Sequence, residues 1–107
     1  MDRENLTPLQ ESALLKLRGV IDPELMVNIV DLGLVYDIRL HDETLEVDVT
    51  LTSPGCPLGD MIMQDIKAVL DTHYPEHEVE VNLVWEPAWS TEMINESGKA
   101  ALNRFGN

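Results

Sequence analysis

Apolar residues recur along this chain in two rhythms, and each rhythm predicts a kind of element. Near the N-terminus Leu9, Ala13, Leu17 and Val20 return at helical spacing and form one stripe. Thr7-Pro8-Leu9-Gln10 opens that helix as a capping box, with Thr at the N-cap, Pro at the first helical position and Gln at the third. Pro23 cannot extend a helix and restricts Asp22, so the stop is expected near Gly19 to Ile21.

Three later segments alternate with period two: Tyr36, Ile38, Leu40; Leu45, Val47, Val49, Leu51; and Val79, Val81, Leu83, Trp85. Each apolar set belongs on one face of a sheet, which leaves a wet face carrying Asp37, Glu46, Asp48 and Glu80. His41-Asp42-Glu43 is short enough to join the first two strands as an antiparallel hairpin. Between the second and third strands, Pro57 opens a helix whose buried stripe is Leu58, Ile62, Ile66 and Val69, and which ends before Pro75. A helix linking two strands predicts a right-handed crossover and a parallel pair. One or two short helical pieces, capped by Ser90 or Asn95, close the chain near Gly106. The expected fold is α+β, a two-layer α/β sandwich of order α-β-β-α-β-α, with a small mixed sheet and helices on one face. Residues 1–107 are read as a single domain.

Composition narrows the function. A net charge of −13, with seven Lys and Arg, repels nucleic acid and anionic membrane surfaces. It suits basic partners or cations, or simply solubility. No apolar run approaches the ~18 residues of a membrane span. Met1-Asp2-Arg3-Glu4-Asn5 lacks the apolar core of a signal peptide, and one cysteine permits no internal disulfide, so a cytoplasmic location is expected.

That cysteine is the centre of the candidate chemistry. Thr50-Leu51-Thr52-Ser53-Pro54-Gly55-Cys56-Pro57 runs from a strand through a turn, placing Cys56 as the N-cap before a helix-opening proline. Free backbone N–H groups and the positive helix end favour a thiolate, the form that attacks electrophiles and binds iron or zinc. Asp60, one turn in, opposes this; the alternative is a small buried hydrophobe. Asp22, Glu24 and Asp31 offer hard oxygen ligands that could complete an iron site with Cys56. The competing reading has Asp22 capping a turn, Asp31 bonding local backbone and Gly33 supplying a positive φ. In Trp85-Glu86-Pro87-Ala88-Trp89, Trp85 reads as core packing and Trp89 as core or a partner-binding rim. No glycine-rich phosphate loop or serine nucleophile elbow is present.

Taken together, Asp22-Pro23-Glu24-Leu25, Val30-Asp31-Leu32-Gly33-Leu34-Val35-Tyr36, Thr52-Ser53-Pro54-Gly55-Cys56-Pro57 and Trp85-x-Pro-x-Trp89 resemble the SufT/PaaD-like family of metal–sulfur cluster assembly factors. The likeness runs from about Leu9 to Phe105. It implies an iron–sulfur cluster assembly domain fold and a role in maturing or delivering clusters, with assembly machinery and client apoproteins as partners. The family's cysteine falls on Cys56 and its acidic segment on Asp22 and Glu24. PaaD-type members carry a cysteine-rich C-terminal extension that is not found before Asn107, so the short, SufT-like kind is expected. A cluster usually takes four thiolates, whereas one chain supplies one and a symmetric homodimer two. The expected cofactor is therefore a labile iron–sulfur cluster or iron, bridged between chains, finished by small thiols or carboxylates, or shared with a partner. The rival readings are an adaptor that binds clients without a cluster, and a thiol enzyme with Cys56 as nucleophile. The second has no base identifiable beside the thiol, so an enzyme is not expected.

Overall fold

The computed structural model describes residues 4–52 and 59–106, and the elements follow the expected order. Helix α1 spans Pro8–Leu17. Its capping box forms as the sequence predicts: Thr7 Oγ1 accepts the Gln10 amide at 3.1 Å, and Gln10 Oε1 accepts the Thr7 amide at 3.0 Å. Ala13, Leu17 and Val20 of the expected stripe are buried and Leu9 is partly covered, and Leu14 joins them, so the stripe is wider than the spacing predicts. The helix stops slightly early, with Arg18 as its C-cap.

The stretch after α1, read from sequence as turns, contains a small ribbon in which β1 (Ile21–Asp22) pairs antiparallel with β2 (Val27–Asn28). The main sheet has three strands in the order β3 (Val35–His41), β4 (Thr44–Val49), β5 (Glu78–Leu83). The β3–β4 pair is an antiparallel hairpin turning at Asp42, whose φ is +56°, and β4–β5 is parallel. Helix α2, Gly59–His73 within the described residues, makes the crossover between them. A 3₁₀ turn at Thr91–Met93 and helix α3 (Glu96–Gly106) complete the chain. Asn95 caps α3 by accepting the Gly98 amide at 2.8 Å, while Ser90 makes no side-chain cap.

Helices α1 and α2 pack on each other and against the sheet, while α3 lies against β2. Leu17, Ile38, Leu45, Val47, Ile62, Ile66 and Leu70 meet in the core between the layers. Leu70, outside the expected stripe, is fully buried, and Val69 is partly covered. No described helix is long and apolar enough to cross a membrane.

Two strand expectations are corrected. Val35 faces Val49 while Asp37 faces Asp48, so Tyr36 is an extra residue, a β-bulge. The bulge shifts the alternation before Ile38, so that Val35 and Ile38 are the buried pair; Leu40, on the same face as Ile38 but near the end of the strand, is 47% exposed. In β5 the alternation fails at its far end. Regular pairing stops at Leu83 on an edge strand, and Leu83 and Trp85 are 41% and 42% exposed. Trp85 therefore does not belong to the core.

Candidate functional site

Two of the segments singled out in the sequence, the loop carrying Asp31 and Gly33 and the stretch with Trp89, meet at one end of the sheet. The loop from Ile29 to Leu34 leaves β2, and Leu34 turns back so that its amide bonds the Ile29 carbonyl at 3.0 Å. The Leu34 carbonyl then accepts the Thr50 amide at 2.8 Å, which fastens the loop to the end of β4. Gly33 makes the bend at φ +78°, so the expected positive φ is present. The space where a Cβ would stand is filled by Met93.

Trp89 closes the convergence. Its indole Nε1 donates to the Leu32 carbonyl at 2.8 Å, and the ring packs half-buried on the core. Trp85 thus departs from its expected core position and lies on the surface, while Trp89 takes the inward one of its two expected settings. Both line a cleft of about 390 Å³ with Leu51, Thr52 and Ala88. On the other side of Leu51, Gly59 begins the described part of α2, so close that a Cβ there would run into the Leu51 side chain. Cys56 lies outside the described residues, as do the expected helix opening at Pro57 and the stripe position Leu58. In sequence it falls between these two anchors, four residues beyond Thr52 and three before Gly59.

Among the acidic candidates, the carboxylates are built into the frame. Asp22 is 1% exposed, and its Oδ1 accepts the amides of Glu24 at 2.8 Å and Leu25 at 3.3 Å, an Asx turn that sets the β1–β2 ribbon. Glu24 is on the surface. Asp31, 4% exposed, is held by side chains instead of the local backbone expected from the sequence. Asn28 Nδ2 and Asn95 Nδ2 donate to it at 2.9 Å each, and Arg18 at 3.2 Å. Asn95 also donates its own amide to the Asp31 carbonyl at 3.0 Å, which ties the start of α3 to the loop. Buried carboxylates paired in this way act first as structural pins. Among the described residues, no three His, Cys, Asp or Glu side chains gather into a group able to hold a metal.

The sheet face away from the helices carries a further arrangement that the pattern of single residues does not announce. Arg39 on β3 reaches Asp48 at 2.7 and 3.1 Å, Asp37 at 2.8 Å and Glu46 at 2.9 Å. One guanidinium thus clamps three carboxylates of the expected wet face, using its planar fork. Hydrogen bonds that Arg39 donates to Asp48, then to Asp37 and Glu46, raise its pKa further. The Arg39 bonds hold the Asp48 carboxyl below its usual pKa despite partial burial, and Asn82 adds to the effect. Partial burial works to raise Asp37, but the bond from Arg39, joined by the Ile38 amide and other favourable contacts, leaves the pKa lowered. A signal did lie in the sequence: Arg39 is the only cation among the period-two wet positions of the three strands.

Where this face meets the residues after β5 there is a larger groove of about 690 Å³. Tyr36, thrown outward by the bulge, donates its hydroxyl to the Pro87 carbonyl at 2.7 Å and to Met93 Sδ at 3.4 Å. Burial pushes the Tyr36 phenol up, with the nearby Glu86 carboxylate adding to the shift, so it stays a neutral donor.

Comparison with known proteins agrees with this geometry. Residues 11–83 match the iron–sulfur cluster assembly protein family. The Fe-S protein maturation auxiliary factor SufT of Staphylococcus aureus is 49% identical over 85 residues, covering 78% of this chain and 96% of that one. The Fe-S protein maturation auxiliary factor YitW of Bacillus subtilis is 40% identical over 95 residues, covering 88% and 93%. A protein of Escherichia coli described as a putative component of 1,2-phenylacetyl-CoA epoxidase is 30% identical, covering 84% of this chain and 54% of that one. Among solved structures, a domain of unknown function from Bacillus anthracis superposes with a TM-score of 0.82 at 45% identity, covering 87% of this chain and 90% of the other. The chain belongs to the iron–sulfur cluster assembly protein family, as a SufT-like member related to PaaD.

Proposed function

We propose that this protein is an auxiliary factor in iron–sulfur protein maturation, assisting cluster formation or transfer to client apoproteins, with the Cys56 thiolate as a ligand to the cargo. The match of residues 11–83 to the assembly family carries the reading. The two relatives named as maturation auxiliary factors support it, each matched over more than nine-tenths of its own length. The geometry supports it further. The ends from which the Cys56 segment departs, Thr52 and Gly59, are anchored in the fold: Thr52 lines the tryptophan cleft and Gly59 packs on Leu51. A cluster usually takes about four thiolates, so a single cysteine per chain implies a cargo bridged between chains or shared with a partner, and readily passed on. The assembly machinery and the clients are the partners this reading implies.

The test is anaerobic reconstitution with ferrous iron and sulfide, followed by transfer to an apo-enzyme that needs a [4Fe–4S] cluster. The wild-type protein is expected to gain visible absorption and to restore client activity. Cys56→Ser is expected to keep the far-UV circular dichroism and thermal midpoint while losing iron and transfer. Unchanged iron content and spectrum in the Ser variant would overturn the ligand assignment. Failure of both proteins to load or to transfer would overturn the maturation role itself.

A further inference from the structure

The groove of about 690 Å³ on the sheet face opposite the helices plays no part in the chemistry above. Its walls are apolar, formed by Val30, Val35, Val84, Pro87 and Met93. Its polar groups are the carboxylates of Asp48 and Glu86, the Tyr36 hydroxyl, and Asn95, whose side-chain amide is engaged with Asp31 and Gly98. Tyr36 spends its proton on Pro87, which leaves the oxygen's lone pairs to accept. The volume is in the range of about 300–1,000 Å³ typical of ligand sites.

The surroundings reinforce the sign. Thr44, Glu46 and Asp48 of β4 stand beside Glu78, Glu80 and Asn82 of β5, so Glu46 and Glu80 are direct neighbours across the strands. Like charges in such positions repel. Arg39 offsets part of this charge on the β3 side, while Glu80 is exposed and Glu86 is exposed at the groove itself. Apolar walls ending in carboxylates match one side-chain chemistry. An arginine or lysine lays an aliphatic stem along apolar surface and delivers a cation at its tip. A neutral apolar ligand would leave the Glu86 carboxylate without a partner in the groove, Asp48 being already bound by Arg39, and an anion would be repelled.

We propose that this groove docks a basic segment of a partner protein, with an arginine side chain seated against Val84, Pro87 and Met93 and its guanidinium facing Glu86 and Asp48. Arginine is preferred over lysine because its planar fork can meet a carboxylate in two parallel bonds and the Tyr36 oxygen besides. The site is independent of any cluster on Cys56.

The probe is a fluorescein-labelled eight-residue peptide carrying two arginines, with a twin in which neutral citrulline replaces both. Binding is followed by anisotropy on the full chain without cluster, at low and at physiological salt. The arginine peptide is expected to bind about tenfold tighter than its twin, a difference of about 1.4 kcal/mol. Glu86→Gln is expected to weaken it about threefold, as loss of one exposed charge contact would. Asp65→Asn, the same loss of charge on the outer side of α2, is expected to leave it unchanged. Equal binding of the twin peptides, or none of either, overturns the proposal. So does an Asp65→Asn effect as large as that of Glu86→Gln, which would mean general attraction to an acidic protein. Self-association without peptide that Glu86→Gln abolishes overturns it in favour of a second copy as the occupant. Because no cluster is present, the proposal can fail without touching the maturation reading, and the reverse holds too.

Discussion

Gly33 carries more of the site than its size suggests, because one residue sets the direction of the loop that holds Asp31, Leu32 and Trp89 together. Its φ of +78° lies in the left-handed region, and its missing Cβ leaves the space that Met93 occupies. Gly33→Ala meets both obstacles at once: an unfavourable backbone conformation of about 1–2 kcal/mol, and displacement of the Met93 backbone. A loss of about 2 kcal/mol or more is expected from urea unfolding, with the Trp89 emission shifted to the red as its indole loses the Leu32 carbonyl. An alanine variant of wild-type stability and emission would show that the loop reaches the same contact by another path. Asp22 and Asp31 are the contrasting case at this scale. Their types and positions suggest ligands, yet their oxygens are taken by amides, two asparagines and an arginine.

At the scale of elements, the β3–β4 hairpin carries opposite chemistries on its two faces. The inner face is plain core, and the outer face depends on Arg39. Asp48 has a folded pKa lowered by Arg39, so the stability it contributes is complete above its unfolded pKa of about 3.9. That contribution is lost as pH falls through the lower folded value. Asp48→Asn is therefore expected to cost about 1 kcal/mol at neutral pH, a modest figure because Arg39 is partly exposed and screened. The gap between variant and wild type should close as the pH drops below the carboxylate range. Urea midpoints measured over an acid series check this, and a gap that stays constant would assign the effect to packing rather than charge.

For the molecule as a whole, charge and ligand count pull assembly in different directions. A cargo held by one thiolate per chain favours pairing of two chains. The outer sheet face disfavours meeting its own copy, since carboxylates on Asp37, Glu46, Asp48, Glu78 and Glu80 outnumber the one guanidinium of Arg39. Glu78 and Glu80 also sit on the edge strand β5, where charge discourages strand-to-strand addition. Pairing through the Cys56 segments is the arrangement consistent with both. Loading with cluster is accordingly expected to strengthen the dimer, because a bridging ligand binds only the paired state. Sedimentation of apo and reconstituted protein at matched concentration should show a heavier species only in the second. An identical distribution with cluster present would point to a partner or small thiol completing the coordination.

The amino-acid sequence by itself determined the kinds of element, their order and the parallel crossover. These follow from local causes: the capping box at Thr7 and Gln10, the two apolar rhythms, the proline stops and the handedness of a strand–helix–strand unit. Asn95 as a helix cap and Gly33 at positive φ were legible for the same reason, since each acts within a few residues of itself. What only the tertiary structure decided depends on neighbours distant in the chain. The bulge at Tyr36 arises from the register against β4, and it turned a supposed core tyrosine toward Pro87. Trp85 left the core because regular pairing ends at Leu83, and Trp89 was settled inward by the Leu32 carbonyl, 57 residues away in sequence, which accepts its indole. Arg39 gained the carboxylates of Glu46 and Asp48, beside that of Asp37 on its own strand, only when β3 and β4 were laid side by side. A periodic pattern states which face a residue prefers, but the partner that meets it there is chosen by the fold.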